Sequence, residues 1–167
     1  MSEFLRRCDD EDGPATWTIV FDRDEIDAIV SALLNSAGAF REGKVLIESR
    51  GFSPASFSRY LLPRMRPVLR AVCGVRKVVA RSRESSEAEA RQAEIDEGRF
   101  LLDVVEADVG RAVLRLDRNT LQAFIVALDV TVEVICDEEW SSIVAGPPKS
   151  FFRELSKRLS ALLQAGD

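Results

Sequence analysis

Moved along itself by 95 residues, the chain matches its own pattern without a gap, and that constrains the fold more than any other feature. Asp22 and Arg23 fall on Asp117 and Arg118, Ala28 on Ala123, and Ala32 and Leu33 on Ala127 and Leu128. The same offset pairs Gly51 with Gly146 and Phe57 with Phe152. It also aligns Ile19/Leu114, Phe21/Leu116, Ile26/Leu121 and Val30/Ile125 as apolar partners. One supersecondary unit is therefore expected twice, as copies 17–70 and 112–164 separated by an insert at 71–111.

Each copy reads as strand, helix, strand, turn, helix. In the first, Trp17 to Phe21 alternates as a strand does, and Asp22 with Glu25 three residues later forms a capping box that opens a helix. Ile26, Ile29, Val30 and Leu33 supply one buried face until Asn35, Ser36 and Gly38 stop it. Val45, Leu46 and Ile47, within Lys44 to Ser49, read as a short strand. Gly51 then turns the chain, and Ser53-Pro54 opens a helix that Pro63 and Pro67 should kink or break near Leu62. In the second copy, Val113 to Leu116 is a strand and a helix starts near Asn119. Trp140 to Val144 is a strand, and Phe151, Phe152, Leu155, Leu159, Leu162 and Leu163 stripe a closing helix. The stretch from Leu121 to Ile135 keeps helical spacing despite its β-branched residues, and is read as helix.

Within the insert, Val75 to Ala80 reads as a strand, and Ser86 with Glu89 opens an Ala/Glu-rich helix that ends near Gly98. Phe100 to Glu106 and Arg111 to Leu116, joined by Ala107-Asp108-Val109-Gly110, form a hairpin leading into copy two. The expected fold class is α+β: one domain over residues 1–167, a mostly antiparallel sheet with helices on one face, and a disordered tail at 1–14.

Composition narrows the function classes. With 46% apolar and 31% charged residues the chain has material for a sizeable core. Lys plus Arg number 23 against 28 for Asp plus Glu, and a net charge of -5 argues against a generally cationic nucleic-acid or membrane binder. No histidine is present, which removes the commonest metal ligand and general base together. Cys8, Cys73 and Cys136 are odd in number and widely spaced, and read as packed or inert thiols of a reducing compartment. No run approaches the roughly 18 apolar residues of a membrane helix, and the polar N-terminus is wrong for a signal peptide. The expectation is a cytoplasmic, non-enzymatic protein that needs no cofactor or metal.

Four features look like chemistry. Gly38 to Lys44 has GxxxxGK spacing, but Val45 follows where a Ser or Thr should bind Mg²⁺. It also follows a helix and enters an expected strand, the wrong context for cradling phosphate. Acidic residues cluster at Asp9 to Asp12 and at Asp137, Glu138 and Glu139 beside Trp140. Arg50 to Arg83 carries nine basic residues and no acid, interleaved with Phe52, Phe57 and Tyr60, and could track a phosphate backbone. Alternatively it lies against the acid-rich stretch 84–110 of the same chain.

With no activated nucleophile, protein binding is the default. The pattern Leu116-Asp117 with Leu121, Ala127-Leu128, then Trp140, Gly146 and the closing helix Phe151 to Leu163 resembles the small acidic immunity proteins of bacterial polymorphic and contact-dependent toxin systems. That resemblance implies a tight stoichiometric inhibitor of one cognate toxin, made in the same cell. The expected binding residues are Asp137, Glu138 and Glu139 with Trp140 as aromatic anchor, and Glu87 and Glu94 on the acidic helix of the insert. The alternative is a nucleic-acid-binding or regulatory module using residues 50–83.

Overall fold

The computed structural model describes residues 7–8, 15–38, 40–75 and 99–165. The expected strand Val75 to Ala80 apart from Val75, the helix at 84–98 with Glu87 and Glu94, and all of the tail but Arg7–Cys8 lie outside these residues. Among the described residues four strands, β1 (Arg7–Cys8), β2 (Thr16–Asp22), β3 (Leu102–Asp108) and β4 (Arg111–Asp117), form one sheet in the order β1-β2-β4-β3. Every neighbouring pair is antiparallel. The helices are α1 (Arg23–Ser36), α2 (Arg41–Ser49), a π-helical segment (Ser56–Leu61) that runs into α3 (Leu62–Val72), α4 (Arg118–Val134), the single turn α5 (Trp140–Ile143) and α6 (Lys149–Ala165). The expected α+β class holds. The tail expected at 1–14 is not wholly unstructured, since Arg7 pairs with Trp17 and Cys8 with Thr16.

Period-two alternation decides which side of the sheet is covered. Trp17, Ile19 and Phe21 of β2 and Ala112, Leu114 and Leu116 of β4 point to the same side, into one core with Ile26, Ile29, Leu33, Leu121, Phe124 and Leu128 of α1 and α4. Those two helices pack on each other over the centre of the sheet; α3 lies against α1 and α6 against α4. Phe57 and Phe152 are completely buried, and truncating either to alanine costs about 3–5 kcal/mol by lost transfer energy and cavity formation.

Local chemistry opens the two central helices alike. Asp22 and Asp117 are N-caps with extended backbone (ψ 177° in both), and their carboxylates accept from the N–H groups of Glu25 and Thr120 at 2.9 and 2.8 Å. Glu25 returns the bond to the Asp22 N–H, completing the expected capping box. The β3–β4 hairpin also forms as read, turning at Gly110, whose φ of 79° suits a residue without Cβ.

Three expectations are corrected. Lys44 to Ser49 is the helix α2 and not a strand: Gly43 and Ile47, four apart, are its buried positions, while the β-branched Val45 points to solvent. Trp140 to Val144 likewise begins as the turn α5, not a strand. Of the kink or break expected near Leu62, the break does not occur. Pro63 has no N–H for the carbonyl four residues back, and the helix widens just upstream, so that the Leu62 N–H reaches the Phe57 carbonyl five residues away.

Candidate functional site

The acidic turn Asp137–Glu139 follows α4 directly and is held from behind. Lys149, at the first turn of α6, donates to the Ile135 carbonyl at 2.6 Å and forms an ion pair with Asp137 at 2.8 Å. The hydrogen bond that Lys149 donates to the Asp137 carboxylate, with the ammonium charge behind it, holds that carboxyl below its usual range. The Glu139 N–H donates to the Cys136 carbonyl at 3.2 Å, and the Glu139 carbonyl accepts from Ser142 and Ile143, so the turn is tied into α5. Glu138 and Glu139 are exposed and make no ion pair with a described residue.

Trp140 does not join this surface. Its side chain is buried at 6% exposure, its Nε1 donates to the Pro147 carbonyl at 3.2 Å, and its ring meets Phe152 edge to face at 4.8 Å. The expected anchor role is therefore corrected: Trp140 braces the acidic turn against the core and offers no ring to a partner.

The basic segment also departs from its reading. Phe52, Phe57 and Tyr60, the aromatics interleaved with the arginines, are buried and form one cluster with Phe100. Among the described residues no stacking platform remains on that side. Arg50 is paired with Glu133 at 3.0 Å, and Arg64 lies 3.9 Å over the Tyr60 ring. Arg59, Arg66 and Arg70 make no ion pair with a described residue. Arg76, Lys77, Arg81 and Arg83 lie outside the described residues.

Gly38 to Lys44 has a structural explanation. It joins α1 to α2, and a Cβ on Gly43 would overlap the Ser36 carbonyl, one on Gly38 the Leu34 carbonyl. The two glycines allow a close helix-to-helix connection, while Lys44 points to solvent.

One arrangement carried no sequence signal beyond helical spacing. Ser156 of α6 donates to Asp129 of α4 at 2.5 Å, beside an open groove of about 440 Å³ that Arg153 and Lys157 also line. Ser156 is itself buried and its hydroxyl proton is committed to Asp129, so the pair joins the two helices. Among the described residues no three His, Cys, Asp or Glu side chains converge as a metal site would require, and no helix is long and apolar enough to cross a membrane. No family model, curated protein or solved structure matches the chain.

Proposed function

We propose that this chain is a non-enzymatic protein-binding module of the immunity type, which neutralises a cationic cognate protein by occupying its surface. The observation that carries the reading is the acidic turn: Glu138 and Glu139 face solvent on a loop whose base is fixed by Lys149 and by the buried Trp140. A preorganised pair of carboxylates loses little entropy on binding and steers a basic partner from a distance. The Asp137 charge is partly matched by Lys149, so Glu138 and Glu139 contribute most of the field.

The same reading takes the molecule as two fused copies of one unit. In its favour, β2 pairs with β4 so that Ile19 lies opposite Leu114, its own counterpart at the 95-residue offset. Trp17 faces Leu116 and Phe21 faces Ala112, each the counterpart of the other's partner. Such a register has twofold symmetry about the Ile19–Leu114 pair, and the sheet order β1-β2-β4-β3 shares it. Val30 and Ile125 match in burial, at 7 and 8%, and Phe57 and Phe152 at 0%. The symmetry stops at the surface, where the second copy carries the acidic turn and the first an arginine-bearing helix.

Retention of proteins from a lysate of the native host, with identification by mass spectrometry, tests the function. The wild-type chain should retain one basic protein in stoichiometric amount, and the double reversal Glu138→Lys with Glu139→Lys should lose it. Retention unchanged by the reversal would remove the acidic turn from the mechanism. The rival reading, nucleic-acid binding by residues 50–83, has in its favour Arg59, Arg66 and Arg70, which make no ion pair with a described residue; a salt-sensitive gel shift at low ionic strength would select it.

A further inference from the structure

Opposite in sign to the acidic turn, the helix spanning residues 56–72 has a solvent face made of Arg59, Pro63, Arg66 and Pro67, with the half-buried Arg70 at its end. Ser56, Phe57, Tyr60, Leu61, Met65, Val68 and Val72 turn inward, so burial fixes which side is outside. No acid occurs between Arg50 and Val75. Local pairing takes up Arg50 and Arg64 but leaves the three face arginines without an ion pair to any described residue. From Arg59 to Arg70 they cover about 16 Å of helix, the reach of roughly five residues of extended peptide.

The stripe ends at a preformed cleft of about 360 Å³ between the C-terminus of α3 and the β3–β4 turn. Pro67, Ala71, Val75, Ala107 and Val109 give it apolar walls, and Arg70 and Asp108 are its charged groups. Two backbone bonds set its shape: the Gly110 N–H donates to the Val72 carbonyl at 2.8 Å, and the Val75 N–H to the Arg70 carbonyl at 2.9 Å. Val75 and Val109 remain 52% and 70% exposed at its edge. Solvent-facing valines beside a cleft of this size favour an apolar occupant.

We infer that this face is a docking surface for an acidic peptide segment of a second protein, which sets carboxylates against Arg59, Arg66 and Arg70 and inserts one aliphatic side chain into the cleft between α3 and the β3–β4 turn. Charge complementarity selects the acidic partner, and arginine forks suit carboxylates. The cleft selects a peptide over a nucleic acid. Its apolar walls accept an aliphatic side chain but offer nothing to a sugar-phosphate backbone, and the nearby aromatics are buried. This surface shares no residue with the acidic turn, so the chain would hold a basic protein at one site and an acidic segment at the other.

The test uses the full chain, with a fluorescein-labelled peptide of acidic residues around a single leucine as probe and anisotropy as readout. Saturable binding is expected. Arg66→Glu should weaken it by about tenfold or more, as reversal of a paired charge does. Val109→Asp, at an exposed turn position that leaves folding intact, should weaken it comparably, as should replacing the probe's leucine by serine. Indifference to the leucine or to Val109→Asp would overturn the cleft, and absence of binding by the wild-type chain would overturn the whole inference. Tighter binding of a duplex DNA of the same charge would overturn it in favour of nucleic acid. Self-association of the chain that Arg66→Glu abolishes would overturn it in favour of a second copy. None of these results bears on the Glu138 and Glu139 reversal, so the two surfaces stand or fall separately.

Discussion

Gly43 and Asp27 show how single residues carry constraints that their type alone does not announce. Gly43 has no unusual backbone; it is required because α2 passes so close to the end of α1 that a methyl group would enter the Ser36 carbonyl. Backbone cannot yield as a flexible side chain can, so Gly43→Ala should cost about 1–3 kcal/mol in urea unfolding; a variant as stable as wild type would mean that α2 is free to shift. Asp27 is half-buried on α1, with one carboxylate oxygen 2.9 Å from where a Cβ on Gly146 would stand. Burial, and then the neighbouring charge of Asp24, raises its pKa above the ordinary value of 3.8. The folded state thus holds this proton more tightly than the unfolded chain. Its contribution to stability is complete below pH 3.8 and is lost as pH rises through the folded pKa. Asp27→Asn should accordingly stabilise the protein modestly at pH 7 and leave it unchanged near pH 3. An equal gain at both values in denaturant titrations would rule out ionisation as the cause.

At the scale of elements, the two N-caps make a matched pair. Asp22→Ala and Asp117→Ala should each cost about 1 kcal/mol, the first somewhat more because Glu25 returns its bond, and the double variant should show the sum because the caps lie at opposite ends of the β2–β4 pair. Thermal or urea unfolding would show it, and a double variant much worse than additive would mean that the two helices open together. The Asp22 cap was legible because a carboxylate and an N–H three residues apart interact without help from the rest of the chain; of the second helix only a start near Asn119 was, not its Asp117 cap. So was the helix through Thr131, whose hydroxyl bonds the Ala127 carbonyl at 2.7 Å within its own helix. The helix α2 was not legible: Val45, Leu46 and Ile47 favour a strand locally, and only the close docking against α1 selects helix there. Trp140 failed as an expected anchor for a similar reason. Adjacency to three acids placed it at the surface on paper, whereas the direction of its ring is set by Phe152 and Pro147, distant enough in the chain that no local rule includes them. The exposed acids themselves were readable, since consecutive charges have nowhere to go but outward.

At the scale of the whole molecule, the pairing of Ile19 with Leu114 carries the strongest consequence. If the two halves descend from one unit, that unit once met a second copy of itself where β2 now meets β4 and α1 meets α4. The segment 99–165, which holds β3, β4 and α4 to α6, should retain the surface that made such a dimer possible. By itself it would expose the free edge of β4 and the apolar face of α4, including Leu121, Phe124 and Leu128, too much apolar surface for a stable monomer. Expressed alone, it should fold only as a dimer, two β4 strands pairing antiparallel with Leu114 opposite Leu114 on the axis. Sedimentation equilibrium would give the mass, and Leu114→Arg, which places two charges against each other on that axis, should return an unfolded chain. A well-folded monomer, or a dimer indifferent to Leu114→Arg, would contradict the fused-copy reading. The contacts that close the intact molecule would then belong to a fold whose two halves match in pattern without sharing an origin.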